Sequence, residues 1–422
     1  MTKLVQAIAI ALLLTAAVRA DEPVRFLIES ITIEGARYSS PRILIAESRL
    51  VEGRSYSESE LRDAMARIQR LPFVLHTDFR LAKGTERGRY VLVIAIDETK
   101  PLFLRWDSLH NAIQVQEILQ PFDPKNPQFR QTVIHISNDY VTIGGRMFVG
   151  AKGVATFATD QSRCHVGRGQ CGARQPGYSL GYTQYDLFGT RASVAAVVQY
   201  REESYDLPDF IPGDGRRTLS FGDHLTWQLT GAVPLFGNNA ARVTLSRQAE
   251  IVATSRQHYD QGELAWLYDT TDDPLFPTRG VFGQAALESH RLIQYVQPLT
   301  DPPKVRNPWK HDVSTRLLKY WQIAPRQSIS TGAQAGTFFG NDYTEYQLHG
   351  GYSAMLIPRA PALKYGDLRF ELDYDRIIMH VHSGPSHDTS SRGEGRAGIA
   401  YRNAWGVAHL TFKYIGWRHS SR

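Results

Sequence analysis

The residues that could do bond-making chemistry are few. An acyl hydrolase needs a serine, a histidine and an acid or amide converging on one face. His290, His349, His380 and His382 fall near expected strand ends, where such a group could be assembled. There is no His-Glu-x-x-His pair for a zinc peptidase. A histidine in a loop is ordinarily a solvated polar side chain, so no catalytic residue is assigned. Cys164 and Cys171, in Cys-His-Val-Gly-Arg-Gly-Gln-Cys, read as a short-loop disulfide of an oxidising compartment. A metal centre would need more ligands than His165 adds, so neither a metal nor a cofactor is expected. The remaining concentrated stretch is Asp272-Asp273-Pro274-Leu275-Phe276-Pro277-Thr278-Arg279-Gly280. Its two prolines remove backbone donors and its glycine frees the next position, so it is a turn, with Arg279 within reach of Asp272 or Asp273.

The elements that hold these residues follow from composition and periodicity. The 422 residues are 42% apolar and 21% charged, too apolar for disorder and too polar for a helical membrane protein. A net charge of +6 over this length is mild and only weak evidence for an acidic partner such as nucleic acid or anionic lipid, and no nucleic-acid partner is expected. Lys3, the apolar run Ala7–Ala17 and the small residues of Ala17-Val18-Arg19-Ala20 read as a secretory signal peptide over 1–20. No later apolar run is long enough for a membrane helix, which leaves an exported soluble protein or a β-barrel.

Residues 25–100 read as strand, helix, helix, strand, strand. Phe26–Ile33 alternates, Pro41–Leu50 is a short helix, and Ser57 with Glu60 opens a second helix as a capping box. Val74–Leu81 and Arg89–Asp97 then alternate as two strands. Residues 101–139, with Asp123-Pro124-Lys125-Asn126-Pro127, read as a linker. From 140 to 418 strand follows strand, about twelve in all, the first Val141–Phe157 and the last Val407–Tyr414. Long loops fall on one side and tight turns on the other, the asymmetry of an outer-membrane barrel, and an even count returns both ends to the periplasm. Tyr182, Tyr200, Trp227, Trp266, Tyr268, Tyr320, Trp321 and Trp417 are the candidate interfacial girdles.

Residues 25–100 resemble a POTRA domain through Ile31-Thr32-Ile33-Glu34-Gly35, Gly53, Leu71-Pro72-Phe73-Val74 and Val93–Glu98. Such a unit offers a strand edge to an extended peptide. The 272–280 turn, with Asp273, Pro274, Phe276, Pro277, Arg279 and Gly280, is similar to a periplasmic turn of the bacterial surface antigen family. Tyr178–Thr190 resembles that family's first periplasmic hairpin. The family holds outer-membrane protein assembly factors and two-partner secretion transporters, each POTRA plus barrel. The resemblance therefore implies a mainly β fold with a transmembrane barrel behind a small α+β POTRA-like domain. It implies an outer-membrane location and no enzyme activity. The POTRA-like domain would receive extended polypeptide clients in the periplasm, and the barrel would insert or pass them. The partners would be outer-membrane lipid and polypeptide clients or a periplasmic protein. The sequence departs from the family in its strand count, where sixteen is usual. It departs again in the inward loop, where Gly350-Gly351 is followed by Met355-Leu356-Ile357-Pro358. Leu356 stands where the family has arginine, and Arg359 follows three residues later. A reduced barrel that serves as a pore or as an anchor for a periplasmic partner is the alternative, and an outer-membrane hydrolase stands third.

Overall fold

The computed structural model describes residues 24–421 except 119–128, 147–151, 167–168, 174–176, 208–216, 253–254, 274, 297–303, 307, 340–342, 358–365 and 384–385. The expected signal peptide and Arg359 lie outside the described residues. Residues 25–98 form a small layer. β1 (Arg25–Glu34) runs between β2 (Ser55–Ser57) and β4 (Arg89–Glu98), and β3 (Val74–Lys83) forms the far edge, giving the sheet order β2-β1-β4-β3. β1 and β4 are parallel, while β3 and β4 are antiparallel. Helices α1 (Pro41–Ser48) and α2 (Glu58–Gln69) cover one face. The capping box at the start of α2 is present: Ser57 Oγ accepts from the Glu60 amide, and the Glu60 carboxylate accepts from the Ser57 amide. Leu61, Met65 and Ile68 line its buried stripe.

The rest of the chain is one closed barrel. Its wall strands are β5 (Leu102–Ile118), β6 (Phe129–Gly145), β7 (Gly153–Val166), β9 (Gly177–Leu187), β10 (Ala192–Leu207), β11 (Arg217–Pro234), β12 (Asn239–Val252), β13 (Ser255–Asp269), β14 (Gly280–Val296), β16 (Lys310–Ala324), β17 (Gln327–Phe339), β18 (Tyr343–Ile357), β19 (Asp367–Ser383), β20 (Ser386–Asn403) and β21 (Gly406–Ser421). Two short strands, β8 (Gly169–Ala173) and β15 (Lys304–Arg306), pair with β7 and β14 as flaps on the rim away from the layer. Outward positions carry Leu225, Trp227 and Leu229 on β11, Leu264 and Trp266 on β13, and Leu317 and Trp321 on β16, all solvent-facing large apolar groups. Alternate positions turn charge inward, as with Asp373 and Asp375 on β19, Glu394 and Arg396 on β20. This alternation is the pattern of a barrel wall bathed in lipid. Among the expected girdle residues, Tyr182, Tyr200, Trp227, Trp266 and Trp321 are exposed on that surface, and Tyr268 stacks on Trp266 at 6.3 Å.

Three features correct the expected architecture. The wall has fifteen strands rather than about twelve. The stretch read as a linker supplies β5 and most of β6, and Val141–Phe157, read as one strand, contains the end of β6 and the start of β7. Of the segment from about 340 to 364, expected as an inward-folding loop, Tyr343–Ile357 is wall strand β18, so Gly350, Gly351 and Leu356 lie in the wall. His380–Ser383 and Ser386–Gly393 belong to β19 and β20, which stay paired as far as Ser383 and Ser386.

Second, the α/β layer is not a separate POTRA domain. Its core of Ile28, Leu44, Leu61, Ile68, Phe73 and Leu92 runs on into Val154, Phe103 and Tyr185 of the barrel, so one apolar interior spans both. The chain as a whole is nearly all β.

Third, an odd number of up-and-down strands leaves the first and last pointing the same way. β21 therefore closes on β5 in parallel, Gly406–Ile415 against Leu104–Ile113, and its last residue lies at the rim away from the layer. The seam is anchored at Gly406, with φ +140°; a Cβ there would lie 1.7 Å from the Leu104 carbonyl oxygen. Gly406→Ala is expected to break the first seam contacts and make the β5–β21 edge sensitive to protease with the rest of the wall intact. Unchanged protection of both strands would show that the seam does not depend on this close approach.

Candidate functional site

The site is built where the layer meets the near mouth of the barrel, around the 272–280 turn. This turn joins β13 to β14, the eighth and ninth wall strands. Asp273 is buried. Its Oδ1 accepts from the amides of Leu275 at 2.9 Å and Phe276 at 3.0 Å, which fold the turn back on itself. Its Oδ2 receives Arg402 Nη1 at 2.8 Å and Gln69 Nε2 at 3.0 Å. Arg402, on β20, also grips Asp367 at the start of β19 at 3.0 Å. Arg369 donates to the Phe276 carbonyl at 2.7 Å. The Arg369 and Arg402 guanidinia both stand over the Phe276 ring, 4.9 and 5.2 Å from its centroid. Asp272 caps the second half of the turn, accepting from the Thr278 amide at 2.8 Å and the Arg279 amide at 3.1 Å. The Arg279 side chain stays 3.8 Å from Asp272. Gly280, φ +111°, must be glycine because a Cβ would meet the Thr270 carbonyl oxygen at 2.3 Å. The turn is thus a plug-like knuckle, held by two wall strands on one side and by α2 on the other. Pro274 lies outside the described residues, and Pro277 lines the lumen beside Leu275.

Burial by itself would raise the Asp273 carboxyl. The charges of Arg402 and Arg369, followed by the two turn amides, outweigh it and hold the group below the ordinary carboxylate range. Other turns of the near rim carry similar clasps. Arg146, just past β6, donates to Ser39 Oγ at 2.6 Å and pairs with Glu98 at 3.2 Å. Lys152 reaches Asp186 at 2.9 Å. Arg67 of α2 donates to Asn238 at 2.6 Å, and Arg70 pairs with Asp269 at 3.0 Å. Between α2, β3 and this mouth lies a cavity of about 390 Å³, lined by Gln69, Thr77, Asp78, Phe276, Arg369 and Arg402. Such a chamber, charged on its walls and floored by one edge strand, can hold an extended polar chain; it presents no group poised for bond cleavage.

The other sequence candidates are dispersed. Gly35, Gly53 and Phe73 belong to the layer, Gly35 and Gly53 in turns of positive φ and Phe73 in the shared core. Tyr178–Thr190 forms β9 and the turn after the fourth wall strand, the second turn of the near rim rather than the first. Cys164 pairs with Gly172 across the β7–β8 hairpin, which brings Cys171 beside it; both side chains lie outside the described residues. His290, His349 and His380 stand on β14, β18 and β19, and His382 is on β19 with its side chain outside the described residues. Two further groupings stand outside these candidates. Gly177-Tyr178-Ser179-Leu180-Gly181 spells a nucleophile-elbow pattern but is straight wall strand, with no strand-to-helix turn to expose the serine. Glu288, His290 and Asp312 converge from β14 and β16, with His290 Nδ1 3.2 Å from Asp312 and 3.9 Å from Glu288, a spacing that could hold a cation. Register across strands, not spacing along the chain, creates both the mouth network and this trio.

No family model matches the chain, and no curated protein matches it. Among solved structures, CdiB from Escherichia coli is similar over 94% of this chain and 74% of that one, with a TM-score of 0.52 and 12% identity. CdiB from Acinetobacter baumannii covers 93% and 74% with a TM-score of 0.47 and 9% identity. BamA from Haemophilus ducreyi lacking POTRA domains 1–3 covers 95% and 84% with a TM-score of 0.39 and 11% identity. At these identities the likeness to the E. coli protein is one of fold.

Proposed function

We propose that this chain is an outer-membrane barrel through which polypeptide is passed or inserted, and that its α/β layer receives the extended chain at the periplasmic mouth. The observation that carries the reading is the mouth chamber. It lies between β3, the edge strand of the four-stranded sheet, and the Asp273–Arg402 knuckle. An edge strand pairs with any extended peptide through main-chain hydrogen bonds, without sequence preference. The outward apolar wall favours a lipid setting, and the fold shared with the E. coli CdiB barrel is consistent with transport rather than with catalysis at this mouth. Membrane lipid and a polypeptide are accordingly the partners of this reading, and it calls for no cofactor. The Cys164–Cys171 disulfide belongs to the same reading, because the far rim would face an oxidising exterior.

A photo-crosslinking residue in place of Asp78, on β3 and lining the chamber, tests the proposal in intact outer membranes. Adducts with unfolded polypeptide in transit are expected there, and far fewer from a probe at Glu86, in the β3–β4 hairpin. Equal adducts from both positions, or none, would remove the edge-strand reading.

A further inference from the structure

Across β17, β18 and β19, three inward side chains line up in a hydrogen-bonded row. Their inward aim follows from the period-two alternation of a wall strand. Ile329, Leu348 and Tyr374 face outward, 37%, 58% and 54% exposed, so their neighbours Ser330, His349 and Asp375 face the lumen. Ser330 Oγ lies 3.0 Å from His349 Nε2, and His349 Nδ1 lies 2.8 Å from Asp375 Oδ1. Asp375 is 1% exposed, and its second oxygen is held by Arg396. A carboxylate at Nδ1 keeps the proton on that nitrogen and leaves the Nε2 lone pair to accept the serine hydroxyl.

The surroundings leave the serine room. Ser330 is paired in register with Gly351. A Cβ at that glycine would lie 2.4 Å from Ser330 Oγ and 3.3 Å from His349 Nε2, so any side chain there would crowd the nucleophile. A separate cavity of about 190 Å³ opens on the group, with Leu275, Leu318 and Tyr320 on its apolar side and Arg316, Arg396, Glu371 and Asp373 on its charged side. The Arg316 guanidinium brings positive charge to the cavity in which a carbonyl oxygen would become anionic, Arg396 being engaged with Asp375. Asp373 stands 3.9 Å from Nε2, which disfavours an anionic acyl group. Size and charge together point to a short, uncharged acyl chain.

We propose that Ser330, His349 and Asp375 form a luminal serine-hydrolase group that cleaves small neutral carboxylic esters, an activity separate from polypeptide passage. Ser330 Oγ bonds to the acyl carbon while its proton passes to His349 Nε2. The carbon–oxygen bond to the alcohol then breaks, and the alcohol leaves with that proton. Water adds to the acyl-serine, gives a proton to Nε2, and the acyl–Oγ bond breaks with return of the proton to Oγ. The carboxylic acid is released and the enzyme is restored without any oxidant or reductant. Ser330 and His349 are catalytic residues, and Asp375 is a positioning residue that acts through the imidazole.

The full chain, folded in detergent micelles, is treated with a fluorophosphonate and assayed with p-nitrophenyl butyrate. Mass spectrometry is expected to find the phosphonate on Ser330, with fluoride lost. Ser330→Ala and His349→Gln are expected to lower kcat/KM by about 10³-fold or more, and Asp375→Asn to lower kcat at unchanged KM. The heat-dependent gel mobility of the folded barrel confirms the state of each variant. Absence of a phosphonate on Ser330 in the folded parent protein, or hydrolysis by Ser330→Ala at the parent rate, overturns the proposal. The labelling result stands even if a variant fails to fold.

Discussion

Arg402→Gln is expected to destabilise the folded chain by about 3–5 kcal/mol at neutral pH, the cost of stripping one partner from a buried ion pair. The guanidinium is the only cation that reaches both Asp273 and Asp367 among the described contacts, at 2.8 and 3.0 Å. Glutamine keeps much of the side chain's volume but leaves two almost fully buried carboxylates without their shared cation, Arg369 staying 3.4 Å from Asp367. The effect has a pH signature. In the parent chain Asp273 titrates below its unfolded value, so its contribution is fully present above about pH 4 and lost as pH falls through the lower folded value. Without Arg402, burial dominates and the folded value moves up, so protonation relieves the variant as the solution is acidified. The stability gap between parent and variant should therefore narrow between about pH 7 and pH 4. Urea titrations followed by gel mobility of the folded barrel measure both quantities. A gap that stays constant over that range would mean that Arg402 acts by packing against Phe276 and not by charge.

Phe73→Ala is expected to cost about 3–5 kcal/mol, the range for emptying a phenylalanine site in a tight core. Its location matters more than its size. Phe73 is 1% exposed and meets the Tyr185 ring of β9 edge-on at 5.8 Å, while the Arg146 guanidinium lies 4.7 Å above its face. Arg146 in turn holds Glu98 and the Thr99 carbonyl. Phe73 is therefore the apolar pin between layer and barrel. The variant should release the layer, with new protease cleavage around Thr99–Pro101, while the barrel keeps its heat-resistant mobility. Loss of barrel mobility together with the layer would show that the two unfold as one unit.

Much of this was legible in the chain. Strand alternation announced a barrel, since a lipid-bathed wall must alternate apolar and polar residues whatever its topology. Ser57 with Glu60 placed the second helix because a helix start must satisfy its own free amides. The proline-bounded turn at 272–280 was placed for the same local reason: prolines cannot donate to a ladder. The strand count was not legible. The proline cluster at 124–127 made the β5–β6 hairpin look like a linker, and Gly350-Gly351 blurred a wall strand into an apparent loop.

What local chemistry determined, then, was the kind of element at each place: periodicity, caps and turns act over a few residues and can be read along the chain. Closure, layer docking and site assembly were decided only by the tertiary structure. The parallel β5–β21 seam follows from the parity of the whole wall. Asp273, Arg402 and Gln69 come from three distant segments and meet because the layer seats on the mouth. Ser330, His349 and Asp375, 19 and 26 residues apart in successive steps, are brought together by register between neighbouring strands. A shift of one residue in either pairing would turn one of the three to the lipid face; each strand's alternation decides which residues face inward, but which inward residues become neighbours is decided by the pairing between strands.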